Sequence, residues 1–338
     1  MSAQKVRLAL TGLGRIGKVH LRNLLVRLPQ AEVVAVSDPN PATRAVAASM
    51  GVGAFYTDFE HMLAREQTDA VVICSPTPTH QAYIGLAAEA GKHIFCEKPL
   101  DMTLERIRWI AQKVKQEGVK LQVGFNRRFD ADFIALREQV KRGAIGEPHL
   151  LKITSRDPAP PPLSYIHTSG GLFMDMSIHD FDMARFMLGS EVEEVFAQGM
   201  VRVDEEIGLA GDIDTAIIQL KFKDGTLAAI DNSRKAVYGY DQRLEVFGSG
   251  GMATNANHYP HHVSHFDQNG SHGPQALHFF VQRYAESYYR EMLAFVEALL
   301  NDQPVPVNAN DALQATRIAL AALKSLRERR LLRIEEVD

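Results

Sequence analysis

Apolar residues follow two different rhythms along this chain. Through the first part they come as short uninterrupted runs: Val6–Leu10, Val33–Val36, Ala70–Cys74, His93–Cys96 and Lys120–Val123. Each is strand length and bounded by turn residues. Between the runs, apolar positions recur at helical spacing near Arg15–Leu28, Pro41–Met50, Thr79–Ala90 and Thr103–Glu117. Strands without apolar/polar alternation, separated by helices, predict a parallel sheet covered on both faces, a doubly wound α/β unit. Asp58 and Thr103 stand where helix N-caps belong, and Gly91 and Gly118 where helices stop.

The rhythm changes near Gly124–Asn126, which places a domain boundary there and divides the chain into 1–124 and 125–338. Two domains are also the default for 338 residues. A helix pattern over Asp130–Arg142 leads to a strand, Leu150–Thr154, and a proline-rich loop, Asp157–Pro162. Longer strands follow at Val192–Val203, Thr215–Phe222, Thr226–Ser233 and Arg243–Phe247, with Asp224-Gly225 as a hairpin turn. Their spacing predicts an antiparallel sheet, so the second domain reads as α+β. Helices around His278–Leu300 and Asp311–Arg329 close the chain.

Composition narrows the function classes. The chain is 46% hydrophobic and 23% charged with a net charge of −4, ordinary for a soluble globular protein. That charge gives no footing for nucleic acid, and no Lys/Arg run suggests a membrane surface. No apolar run reaches the ~18–20 residues of a spanning helix. The chain runs straight into a strand without a secretory signal, and Cys74 and Cys96 each end a strand-like run. The expectation is a cytoplasmic protein with two reduced, structural thiols.

The stretch Gly170–Asp182, GGLFMDMSIHDFD, is the most informative for chemistry. Read as a helix entered through two glycines, it sets Asp175 and His179 one turn apart on one face. Asp182 falls near the same face. Met176, Met183 and Met187 make one apolar stripe, and Phe181, Ala184 and Leu188 another, so this helix is mostly buried. A buried carboxylate and imidazole need partners or a task, and together they can tune a proton acceptor. The plainer alternative is a capping or surface pair.

Gly12-Leu13-Gly14-Arg15-Ile16-Gly17 follows the first strand and opens the first helix. The first glycine permits the tight turn, the second admits a pyrophosphate to the backbone, and the third packs helix on strand. The helix N-terminus offers N–H donors to phosphate. Asp38 ends the second strand, where a carboxylate binds adenosine ribose hydroxyls and repels a 2′-phosphate. That favours NAD over NADP, with Arg15 and Arg44 as opposing charges. Ser75-Pro76-Thr77-Pro78-Thr79-His80 follows another strand at its carboxyl end, which places Ser75, Thr77 and His80 toward the cofactor. His80 serves equally well as a helix-capping side chain. Glu97-Lys98-Pro99 lies at the same sheet edge, where Lys98 can hydrogen-bond a substrate hydroxyl; the alternative is a surface lysine in a turn. Its X-Pro bond can be cis.

These motifs, with Gly-Phe-Asn-Arg-Arg-Phe-Asp at 124–130 and Gly-Gly followed by Asp-x-x-x-His-Asp-x-Asp, together resemble the Gfo/Idh/MocA family over essentially the whole chain. Ser155-Arg156-Asp157-Pro158 through Tyr165, Ile178–Asp182 and Tyr238–Arg243 are most similar to its inositol 2-dehydrogenase branch. The resemblance implies an N-terminal Rossmann domain and a C-terminal domain with a large, open, mostly antiparallel sheet that supports homodimers or homotetramers. It implies Lys98, Asp175 and His179 as the catalytic set, Glu97 and Lys98 beside the NAD cofactor, and no metal. Asn126, Arg127, Asp157, Tyr165, His167 and Tyr238 are further candidates to bind the ring of a polyol, beside Arg156 and Tyr240; each is equally open to a structural role.

The expectation is therefore oxidation of a secondary hydroxyl of a cyclic polyol, myo-inositol foremost. Alternatives are scyllo-inositol or another sugar, an NAD-dependent glycosidase, or a non-catalytic sugar sensor. A histidine-rich stretch, His258 to His272, fits no closed zinc pattern and reads as a solvated or interface loop.

Overall fold

The computed structural model describes residues 5–338. Its first part runs β1 (Val6–Thr11), α1 (Arg15–Val26), β2 (Ala31–Ser37), α2 (Arg44–Ser49), β3 (Ala54–Tyr56), α3 (Phe59–Arg65), β4 (Ala70–Ile73), α4 (His80–Glu89), β5 (His93–Glu97), α5 (Leu104–Gln116) and β6 (Leu121–Gly124). Next come α6 (Ala131–Lys141), β7 (Pro148–Arg156), α7 (Leu163–Ser169), α8 (Ile178–Leu188), β8 (Val192–Met200), α9 (Glu205–Leu209), β9 (Thr215–Phe222), β10 (Leu227–Ser233), β11 (Asp241–Gly248) and β12 (Gly251–Thr254). The chain ends with β13 (His265–Asp267), β14 (Gly270–His272), α10 (Phe280–Arg283), α11 (Ala285–Leu300), α12 (Ala309–Glu328) and β15 (Leu332–Arg333).

Two compact units result. One holds the described residues up to Asn126 together with Glu286–Gln314; the other holds Arg127–Ala285 and Ala315–Asp338. The segment Glu286–Gln314 thus returns to the first unit, whereas a single boundary near 125 would leave it in the second. The reason is packing: Met292, Phe295 and Val296 of α11 join Leu8, Leu10 and Phe95 in one buried cluster. The apolar face of a helix does not say which core it will cover.

In the first unit six parallel strands lie in the order β3-β2-β1-β4-β5-β6, doubly wound about β1. β3 has only three residues and escapes a reading based on apolar runs. The predicted caps are present: the Asp58 side chain accepts from the His61 N–H and the Thr103 side chain from the Arg106 N–H. Gly91 and Gly118 end their helices at φ +67° and +66°, a conformation that favours glycine. β1, β4 and β5 are neighbours in register, so the segments after Thr11, Ile73 and Glu97 emerge at one sheet edge.

The second unit is built on a seven-stranded sheet, β12-β11-β7-β10-β9-β8-β15. It is mixed rather than purely antiparallel, because β7 and β10 pair in parallel. On one face Leu151, Ile153, Ile218, Leu220, Ile230 and Val246 are buried. The predicted hairpin turn is formed: Gly225 has φ +91° and the Asp224 carboxylate accepts from the Thr226 N–H. The proline-rich loop is followed by α7, a short helix that the proline content hides from the sequence.

Candidate active site

The glycine loop of the first unit has the shape its sequence calls for. Gly12 adopts φ +91°, and a Cβ there would stand 2.6 Å from the Cys74–Ser75 backbone. A Cβ on Gly17 would overlap the Gly12 carbonyl oxygen, whereas one on Gly14 would meet nothing within 4 Å. So Gly12 and Gly17 are required by the fold, and Gly14 leaves backbone open to a ligand. Among the described residues no side chain caps the start of α1, so its first N–H groups face that opening. Arg15 and Ile16 begin the same helix. Asp38 braces the loop: its Oδ2 accepts from the Leu13 N–H at 2.7 Å and its Oδ1 from the Asn40 N–H at 2.9 Å. This cradle fits the diphosphate and adenosine ribose of a dinucleotide.

The neighbouring loop is tied down from within. Ser75 and Thr79 share a hydroxyl hydrogen bond of 2.6 Å, and Thr77 is half-buried between them. His80 is turned into the fold. It is buried, with Nδ1 3.0 Å from the Pro99 carbonyl oxygen and Nε2 2.8 Å from that of Ser75. Burial pushes its pKa below the usual histidine value, against those two carbonyl bonds. His80 therefore fastens this loop to the Lys98-Pro99 turn, whose peptide is cis. Glu97 points the same way, inward: its Oε1 is 2.7 Å from His20 Nε2, and its Oε2 accepts from the Lys98 N–H at 3.2 Å.

In the second unit the predicted helix has a different build. Gly170 closes α7 at φ +82°, Gly171 follows at +83°, and residues Phe173–Ser177 form a π turn before α8. Gly171 is needed because a Cβ there would lie 2.7 Å from Asp212 Oδ1. Of residues 172–185, all are buried except Asp175 and His179. The two side chains thus share the one face that reaches the surface, as their spacing implies, and π turns are frequent at functional sites. Asp182 is not on that face. It is 1% exposed and gripped by Arg128, at 2.8 Å from Nε and 2.6 Å from Nη2.

Asp175 is held on both oxygens. The Tyr165 hydroxyl donates to Oδ1 at 2.8 Å, and Arg234 Nη1 donates to Oδ2 at 3.2 Å. Arg234 is fully buried, and its Nη2 lies 3.6 Å from Asp212 Oδ2. Asp212 Oδ1 in turn accepts the Leu172 N–H at 3.0 Å, where the functional helix begins. Asp157, half-buried nearby, has its carboxyl pushed up to about 7 by desolvation, with the charge of Asp175 adding and Arg234 and Arg127 opposing. Arg234 and Asp212 were invisible to motif reading; the only cue was charge on sequences that otherwise read as strand and loop.

The remaining candidates separate by environment. Arg127 is buried, its Nη1 2.6 Å from Asp180 Oδ1, and Asp180 Oδ2 accepts from Asn232 Nδ2 at 2.8 Å. The guanidinium is engaged in that buried pair, with Ser155 and Tyr240 hydroxyls 3.5 Å from Nη2. Asn126 is buried with its Nδ2 unpartnered among the described residues. Tyr238, 42% exposed, donates to Asp241 Oδ2 at 2.7 Å and accepts from Arg156 Nη1 at 2.9 Å. Tyr165 and His167 lie exposed on α7. In the histidine stretch, His265 and His272 face each other across the β13–β14 hairpin, and His258 bonds Asp132 at 2.5 Å. Among the described residues, the acid and histidine groups close enough to share an ion are His20, Glu97 and Glu291, none of them in that stretch.

Comparison with known proteins agrees with this architecture. A myo-inositol 2-dehydrogenase of Thermotoga maritima is 48% identical over 333 residues, covering 98% of this chain and 99% of that protein. An inositol 2-dehydrogenase of Rhizobium meliloti is 44% identical, covering 97% and 99%. The crystal structure of scyllo-inositol dehydrogenase from Lactobacillus casei, with bound NAD(H) and scyllo-inositol, superposes with a TM-score of 0.93 at 33% identity, over 98% of this chain and 100% of that one. Residues 6–125 match the oxidoreductase family's NAD-binding Rossmann fold and residues 133–254 its GFO/IDH/MocA C-terminal domain. On both its halves, the chain belongs to the Gfo/Idh/MocA family of oxidoreductases.

Proposed function

We propose that this protein is an NAD-dependent dehydrogenase that oxidises a secondary hydroxyl of a cyclic polyol, foremost myo-inositol to its 2-ketone. The observation that carries the reading is the single exposed face of the 172–185 segment, which presents Asp175 and His179 and nothing else. The names of the two relatives above support the substrate class.

His179 takes the hydroxyl proton on its imidazole as the carbon–hydrogen bond is broken. Asp175, fixed by Tyr165 and Arg234, orients that imidazole and stabilises its charged form. Lys98 stabilises the negative charge that develops on the same oxygen. Bound NAD supplies the hydride acceptor. Asp38 selects NAD over NADP, since a carboxylate braced at the end of β2 repels a 2′-phosphate. Asn126, Asp157, Tyr165 and Tyr238 offer the directional donors and acceptors a polyol ring requires. We assign no ring contact to Arg127.

A second reading, scyllo-inositol as substrate, is favoured by the Lactobacillus casei neighbour. The same proposal includes a cytoplasmic location, in keeping with the two free thiols, and assembly through the seven-stranded sheet.

The test is NADH formation from a panel of inositol isomers and hexoses, with NAD and NADP side by side. The expected result is turnover of myo-inositol with NAD, lost by about 10²–10⁴-fold in His179→Ala. Near-full turnover of that variant at saturating substrate sinks the assignment. Glycoside cleavage without net NADH marks the glycosidase alternative.

A further inference from the structure

Behind Lys98 lies a group of acids and bases that the mechanism above does not use. His20 projects from α1, Glu97 ends β5, and Glu291 stands on α11, with one ligating atom of each within 4.8 Å of the others. His20 and Glu291 are fully buried. The His20 ring is packed edge-on by Phe95 at 5.0 Å and Tyr288 at 5.7 Å. Glu291 Oε1 is 3.8 Å from His20 Nε2, and neither of its oxygens has a hydrogen-bond partner among the described residues.

A carboxylate left bare in such a place is costly, and a second one beside it raises the cost further. Burial, with the charge of Glu97 adding, pushes the Glu291 carboxyl well above the usual range, which favours its protonated form. The His20–Glu97 contact is a hydrogen bond of 2.7 Å. Two ligands of a tetrahedral ion, each about 2.0–2.2 Å from it, would stand about 3.4 Å apart. The pair stands closer than that, at the distance of a hydrogen bond.

Glu97 links the group to Lys98. Its Oε2 accepts the Lys98 backbone N–H, and the β6 backbone closes in from the other side, where a Cβ on Gly124 would lie 2.9 Å from that oxygen. With His20 on Oε1, the carboxylate has little freedom to move.

We propose that Glu97 is a positioning residue for Lys98, clamped by His20 and backed by the buried carboxyl of Glu291. The proposal rests on the reading of Lys98 as a group that meets the reacting oxygen. The other titratable groups facing the cluster are Cys74 after β4, Cys96 on β5, His80 on α4 and Tyr288 on α11. Burial pushes both thiols up and His80 down, so none of these three gains charge near neutrality.

The experiment uses the full chain with NAD bound. In infrared difference spectra at neutral pH, the carbonyl stretch of a protonated carboxyl is present and disappears in Glu291→Gln. His20→Phe lowers kcat by about 10²-fold, the cost of misplacing a reacting group, leaves KM for NAD within about twofold, and displaces the pH profile of kcat. His20→Gln keeps an N–H at the same reach and recovers most of the loss. Absence of the infrared band overturns the proposal. So does a stoichiometric divalent metal that Glu291→Gln removes, or an unmoved pH profile in His20→Phe. Lys98→Met separates the two readings. If it is inactive while His20→Phe is unaffected, only the positioning role falls. If it turns over normally, the role of Lys98 falls and this assignment with it.

Discussion

At the scale of single residues, the informative side chains are those whose burial conflicts with their charge. Arg234 has no exposed surface and serves both Asp175 and Asp212. Arg234→Met leaves two carboxylates without their cation, and loss of a buried ionic partner costs about 3–5 kcal/mol. We expect a marked fall in Tm and a kcat lowered by about 10²-fold. Asp212→Asn, which keeps an acceptor for the Leu172 N–H, should retain most of both; if it is as damaging as Arg234→Met, the charge relation is wrong. Asp157 makes a pH prediction of its own. Its folded carboxyl titrates at about 7, above the ordinary aspartate value. The folded state therefore holds a proton that the unfolded chain has lost, and the stability this brings is full below about 4 and is lost as pH rises toward about 7. Asp157→Asn should flatten the decline of Tm across that window. Motifs singled out Asp157 and Asp175 but not the charges around them. Arg234 lies 59 positions from Asp175 in the chain, and only folding brings them together.

At the scale of elements, local chemistry was legible wherever one residue type answers one geometric need. The glycine loop is the plain case, and it separates two substitutions that look alike. Gly17→Ala would overlap the Gly12 carbonyl and should yield little folded protein. Gly14→Ala meets nothing in the fold, so Tm should stay within about 2 °C while KM for NAD rises by about tenfold as the methyl group takes the space of a phosphate oxygen. Equal effects on Tm would refute the distinction. Caps and stops at Asp58, Thr103, Gly91 and Gly118 were legible for the same reason. Less legible were elements made by pairing rather than by pattern. β3 has three residues, and the β7–β10 pair is parallel although its flanking sequence resembles that of the antiparallel strands. The π turn at Phe173–Ser177 has no sequence signature, yet it leaves Asp175 and His179 on the face that their spacing assigns them. His80 was evenly balanced between two roles in the sequence, and the fold buries its ring between the Ser75 and Pro99 carbonyls, which neither role called for.

At the scale of the whole molecule, the sheet of the second unit has one face that the described residues leave partly exposed. Leu227 pairs with Leu150, Leu150 with Phe247, and Phe247 with Met252, so four apolar side chains form a row across β10, β7, β11 and β12. Each is about half exposed. Ile217 on β9, opposite Asp231 and outside that row, is exposed as well. A soluble monomer seldom displays so many adjacent apolar groups, whereas a second copy of the same sheet would cover them around a two-fold axis. The expectation of such an assembly came from the family resemblance; in the structure, β7, β9 and β10 carry apolar residues at positions of both parities, which one core cannot use. Specific pairs of subunits bury about 1,600 Å² or more in total, and two like charges in the middle of such a face are not tolerated. Leu150→Glu with Phe247→Glu should therefore convert a wild-type dimer or tetramer to monomer in sedimentation velocity, with the far-ultraviolet spectrum preserved. A wild-type protein that already sediments as a monomer at micromolar concentration would rule this assembly out.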